Sequence, residues 1–231
     1  MPDVEWLPQW PNIADATAAQ TRLAEQLGTD PALATPQYVT QVAAQLADAG
    51  LAILVIDAHA PATSEAQFEQ RLAECAKAAE LLGIPSVLAI PLDRLPDALK
   101  ALEPHDRRGR LRRRVRHVVT ERARSAAFAD LMQHGFGTGG KPDVEAATLT
   151  GQLMDASHRS VRDDFEATAP QTDLAVATAH GAGAYGARML GSGFGGIVFA
   201  LVPADEVDSI AGAVVHGFAS VGLTPPAFYR A

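Results

Sequence analysis

Two uninterrupted apolar runs, LAILVI (51–56) and IVFALV (197–202), stand out from a chain whose other apolar residues mostly recur at three- and four-residue steps. Runs this short, bounded by Gly50 and a polar stretch in the first case and by glycines and Pro203 in the second, read as buried strands over 51–57 and 197–202. The helical spacing is clearest in SEAQFEQRLAECAKAAELLG (64–83). Ser64 is a candidate N-cap and Glu65 complements the dipole in the first turn. Phe68, Leu72, Cys75, Ala79 and Leu82 define one apolar stripe, and Gly83 ends the helix. Further helices are predicted over 110–132, 145–164, 172–180 and 204–221, before an extended end, PPAFYRA. Upstream, IADATAAQTRLAEQLG and QYVTQVAAQLADAG predict two helices, 13–28 and 37–50, around the linker-like TDPALATP. Helices dominate and do not alternate regularly with strands, so the fold class is α+β.

Charge and cysteine usage narrow the function. A formal net charge of −8 over 231 residues argues against a general nucleic-acid binder, whose footprint is usually basic. Cys75 is the single cysteine, which excludes a disulfide framework and cysteine-built zinc sites. The histidines form no His-x-x-x-His pair, so no metal site is expected. The apolar runs are too short to cross a bilayer, and MPDVEWLPQW lacks the basic start and apolar core of a secretory signal. A cytoplasmic protein without membrane or nucleic-acid partners is the expectation.

Three motifs invite a function and resist it. Gly191, Gly193 and Gly196 satisfy G-x-G-x-x-G, but a dinucleotide site needs a strand before the motif and a helix after it. Here a helix-like segment leads in and IVFALV follows, so the order is reversed. GFGTGGKP (135–142) approaches a Walker A loop, but Pro142 stands where a Ser or Thr must meet magnesium, and the segment reads as a flexible surface insertion. RRGRLRRRVRH (107–117) has no interleaved aromatics and reads as a helix with a solvated basic face, with Leu111, Val115 and Val118 turned inward. Asp163 and Asp164 point about 100° apart on a helix and do not converge on one atom; one of them is expected to cap or to pair with a neighbour such as Arg162.

Four segments taken together carry a resemblance. LAILVIDAHAP with QFEQRLAECAKAAELLGI, LRRRVRHVVTERAR, LMDASHRSVRDDFEATAPQTDLAVATA and GARMLGSGFGGIVFALVP resemble, in order and spacing, the C-terminal half of galactokinase, a sugar kinase of the GHMP superfamily. VEWLP and the closing VGLTPPAFYRA look like further pieces of that half. The resemblance implies helices packed on a small mixed or antiparallel sheet, with residues 49–231 as the GHMP kinase C-terminal domain and 1–48 as a divergent helical segment. It also implies that the glycine-rich stretch is the third superfamily motif, close to where nucleotide phosphates and sugar meet. Gly191, Ser192, Gly193, Phe194 and Gly195 are then the candidate cofactor-binding residues, and Phe68 the candidate sugar contact. Independently of any family, glycines here can take positive φ, and successive N–H groups can form an anion nest; a plain turn into the strand explains the same residues equally well.

The resemblance also implies parts that these 231 residues do not contain. No arginine-bearing sugar segment, no serine-rich phosphate loop at a helix N-terminus and no Met-Asp-Gln segment is found, so no catalytic residue is assigned. Phosphoryl transfer depends on positioning and on neutralising phosphate charge, so ATP and magnesium belong to the intact family enzyme and neither is expected to be held by this chain alone. Phe68 stands where a tyrosine is expected, keeping the ring and losing the hydroxyl; it is either a sugar contact or the first core residue of its helix. Leu190 replaces a threonine, Ser192 replaces another small residue, and Arg188 either meets phosphate or pairs with a carboxylate. The expected function is half of an ATP-dependent galactose 1-kinase, inactive by itself. The alternatives are a non-catalytic sugar-binding or regulatory protein, or one chain of a split kinase whose partner is a separate N-terminal half.

Overall fold

A computed structural model describes residues 5–6, 44–61, 65–190 and 196–230. The helix expected at 13–28 lies outside them; of that expected at 37–50, residues 44–48 are described and helical.

The core is a five-stranded sheet of β1 (Glu5–Trp6), β2 (Leu51–Asp57), β5 (Gly186–Met189), β6 (Ile197–Pro203) and β7 (Ala227–Arg230), in the order β1-β7-β2-β6-β5. All pairings are antiparallel except β1 with β7. The two apolar runs form the paired central strands β2 and β6, in register from Leu51 opposite Pro203 to Asp57 opposite Ile197. Antiparallel strands usually alternate apolar and polar residues because one face is wet. Here both faces are covered, which is why the runs are continuous. Ala52, Leu54, Ile56, Val198, Ala200 and Val202 face α5 (Pro170–Gly181) and α6 (Val207–Ser220). Leu51, Ile53, Phe199 and Leu201 pack on the opposite side with Met132, Phe136, Ala147 and Met154 of α3 (Arg110–His134), α4 (Val144–Ser160) and the turn between them.

A third apolar cluster joins α1 (Glu65–Leu82) and α2 (Leu95–Leu102) to α3 through Ala78, Ala79, Leu95, Leu102, Val115 and Val119. The expected α1 stripe is corrected at one position: Leu72 is 49% exposed, and Ala78 takes an inward place instead. The end of α1 is as expected. Gly83 adopts φ 66°, its N–H donates to Glu80 O at 3.1 Å, and the Ile84 N–H donates to Ala79 O at 3.1 Å. This is the Schellman arrangement that satisfies the last carbonyls of a helix.

Two other expectations change. GFGTGGKP, expected as a flexible surface insertion, forms an exposed hairpin, with β3 (Gly137–Thr138) and β4 (Lys141–Pro142) joined by Gly139 and Gly140. Both turn glycines have positive φ, 62° and 72°, the requirement of a type I′ turn. The Gly140 N–H donates to Asp48 O at 2.6 Å, and Phe136 at its base is fully buried. The basic run is not wholly solvated either. Arg114 is 0% exposed, its Nε donating to Glu74 Oε2 at 2.6 Å and its Nη2 to Glu166 Oε2 at 2.6 Å, with Nη1 on Asp164 O. Leu111, Val115 and Val118 do turn inward.

Candidate functional site

The elements that frame the glycine-rich segment are β5, β6 and the exit of β2. β5 corrects the sequence reading: a strand, not a helix, leads into the glycines, because GARM pairs with β6 from Gly186 opposite Leu201 to Met189 opposite Val198. The segment is therefore a strand-to-strand connection. The dinucleotide reading still fails, since no helix follows. Gly191, Ser192, Gly193, Phe194 and Gly195 lie outside the described residues.

Gly196 shows what the exit from this connection requires. A Cβ there would stand 2.4 Å from Ala60 N and 3.1 Å from His59 N, so only glycine lets the two backbones cross. The Ala58 N–H donates to Gly196 O at 2.7 Å, fixing that crossing. Beside it, His59 adopts φ 50°, an uncommon backbone for a residue with a side chain. The Asp57 carboxylate stabilises it: Oδ1 accepts the His59 N–H at 2.9 Å, and His59 Nδ1 lies 3.5 Å from the same oxygen. Asp57, His59 and Gly196 thus meet at one corner of the sheet. The sequence reading singled out the glycine but neither of the other two. A clue was available: an Asp two residues before His at a strand end suits an Asx-type turn.

Behind β5, charged groups pair with one another and with the strand's backbone. Arg188 donates from Nη1 to Glu121 Oε1 at 3.4 Å and from Nε to Met189 O at 3.1 Å, which is the carboxylate pairing weighed above. Burial pushes the Glu121 carboxyl up, but Arg188, the Ser157 hydroxyl and Arg124 outweigh it and hold it below the usual range. Next to it, burial drives the His117 imidazole down from 6.5 to about 4, keeping it neutral against Ser160 Oγ at 2.9 Å and stacked on Phe165 at 4.6 Å. α4 ends in a π-helical turn, Val161–Phe165, where Asp164 Oδ1 accepts from Arg116 at 2.8 Å and Asp163 Oδ1 from Arg162 at 2.8 Å. Both aspartates pair with arginines, where one of them was expected to, and they do not share a partner.

Phe68 sits half-buried in the first turn of α1. Among the described residues no group of three or more His, Cys, Asp or Glu could hold a metal ion. With Arg188 turned to Glu121, the described residues do not by themselves fit a magnesium–nucleotide. What they offer is a strand-framed connection and a backbone corner. No described helix is long and apolar enough to cross a membrane.

This architecture has relatives. Residues 143–219 match the family described as GHMP kinases C terminal, and this part of the chain is a GHMP kinase C-terminal domain. Within that family its similarity is to galactokinases. The galactokinase of Streptomyces coelicolor is 38% identical over 192 residues, covering 83% of this chain and 46% of the relative. That of Mycobacterium tuberculosis is 41% identical over 165 residues, covering 71% and 41%. Among solved structures, Lactococcus lactis galactokinase complexed with galactose matches with a TM-score of 0.67 and 29% identity, over 78% of this chain and 45% of that one. The chain spans about half the length of the curated relatives it matches.

Proposed function

We propose that this chain supplies the C-terminal half of an ATP-dependent galactose 1-kinase, which transfers the γ-phosphoryl group of ATP to the anomeric hydroxyl of galactose. The observation that carries the reading is the strand–glycine–strand connection in a fold similar to a galactokinase solved with galactose. In this reading Gly191, Ser192, Gly193, Phe194 and Gly195 line the phosphate side with backbone N–H groups, and Phe68 meets the sugar. Residues 49–231 form the GHMP kinase C-terminal domain and 1–48 a divergent segment. Backbone donors alone do not neutralise a triphosphate or orient an attacking hydroxyl. The 231 residues therefore have negligible kinase activity by themselves, and an N-terminal half, whether on the same or a separate polypeptide, completes the site.

Galactose-dependent ADP release tests this, measured for the chain alone and after mixing with the N-terminal half of the Streptomyces coelicolor relative. The chain alone should show none, and the mixture should restore turnover. Turnover by the chain alone approaching the ~1–100 s⁻¹ usual for kinases overturns the claim of inactivity. A stable mixed complex without turnover overturns the kinase reading.

A further inference from the structure

β5 is the edge strand of the sheet, and an edge strand leaves N–H groups without a ladder partner. In this protein α4 supplies the partners. Asp155 Oδ1 accepts the Ala187 N–H at 2.9 Å, and His158 Nδ1 accepts the Met189 N–H at 3.2 Å. Gly151, on the same helix face by its spacing to 155 and 158, lets α4 approach: a Cβ there would lie 1.9 Å from Tyr185 O, and one on Gly186 would lie 2.1 Å from Gly151 O. Each α4 acceptor is backed from α5. His180 Nδ1 lies 3.2 Å from Asp155 Oδ2. His158 Nε2 lies 3.0 Å from Asp173 Oδ1, and Thr168 Oγ1 donates to Asp173 Oδ2 at 3.2 Å. Because Nδ1 accepts from a backbone N–H, His158 carries its proton on Nε2 and donates it to Asp173.

We infer that His158, set by Asp173, is a positioning residue that fixes the end of β5 and thereby the direction in which the chain enters the glycine-rich segment. Met189 is followed only by Leu190 before those glycines, and Leu190 is itself tied to β6 through its N–H to Ile197 O at 2.9 Å. The imidazole is 3% exposed, so no water replaces it as acceptor when it is removed. The part of this inference that concerns turnover rests on the kinase reading above.

The test compares His158→Asn, whose side-chain carbonyl takes the place of Nδ1 as acceptor, with His158→Leu, which has none. Amide hydrogen exchange is followed in the 231-residue chain at Met189 and, as a reference, at Leu54 in β2. In His158→Leu, protection of Met189 relative to Leu54 should fall about tenfold or more, the effect of leaving a buried donor unpaired. His158→Asn should keep it within about threefold, and Asp173→Leu should give a loss between the two. Equal relative protection in His158→Leu and the unaltered chain overturns the inference, as does a loss shared equally by both amides. In the mixture with an N-terminal half, His158→Leu should lower kcat more than it raises KM for galactose, and His158→Asn should rescue it. Unchanged kcat alongside lost protection overturns the link to the glycine segment. If the unaltered mixture has no turnover, the kinase reading fails while the exchange comparison still decides whether His158 holds the strand.

Discussion

Arg114→Leu is the substitution for which the structure sets the sharpest magnitude. The guanidinium is fully buried and ties α3 to two other elements through three residues: Glu74 of α1, and Asp164 and Glu166 at the π-helical end of α4. Glu166 is 42% exposed at its side chain and keeps Arg113 at 3.0 Å, so water and that arginine compensate it. Glu74 is 10% exposed, and its remaining cation is Arg110 at 3.4 Å. The cost of Arg114→Leu therefore sits in Glu74, a buried carboxylate stripped of its main partner, which is worth roughly 3–5 kcal/mol. Against the 5–15 kcal/mol typical of a domain this is a large fraction. Urea unfolding followed by circular dichroism should show a midpoint lower by about 1–2 M, taking a slope near 3 kcal/mol/M. Adding Glu74→Leu should recover at least about half of the loss, because removing both charges is far less costly than removing one. A single variant within about 1 kcal/mol of the original chain, or a double variant no more stable than the single one, would refute the assignment of the cost to an uncompensated Glu74.

Two further outcomes can be measured the same way. Gly186→Ala should destabilise by at least about 1–3 kcal/mol, because its methyl meets the Gly151 backbone, which cannot rotate aside; Gly181→Ala, with open space at its Cβ, is the control and should be within about 1 kcal/mol. The folded state depresses the His117 pKa, so the unfolded chain binds the extra proton between pH 6.5 and about 4. Stability from this group is complete above 6.5 and is lost as pH falls through that window, by up to roughly 3 kcal/mol, and His117→Gln should flatten the slope there. An unchanged slope would place the acid sensitivity elsewhere.

Much of the frame is legible without coordinates because its signals are local. LAILVID is a strand of the expected extent, IVFALV runs one residue further to Pro203, Gly83 stops α1, and the long helix from Arg110 ends within two residues of expectation. GARM was not legible: four residues with an arginine and a glycine carry no strand pattern, and they extend only because β6 pairs on one side and α4 caps the free N–H groups on the other. Asp155 and His158 likewise look like ordinary polar residues until the chain brings their backbone partners to them.

By itself the sequence determined which segments bury apolar surface, where glycine and proline end them, and the resemblance of the glycine-rich stretch to a kinase motif. Those depend on spacing within a few residues. The tertiary structure alone decided which arginine of the basic run is buried, which carboxylates meet it, and how the strand before the glycines is held. Glu74 and Glu166 lie 40 and 52 residues from Arg114. A charge can be buried only where opposite charges from distant elements converge on it, and no local pattern encodes that convergence.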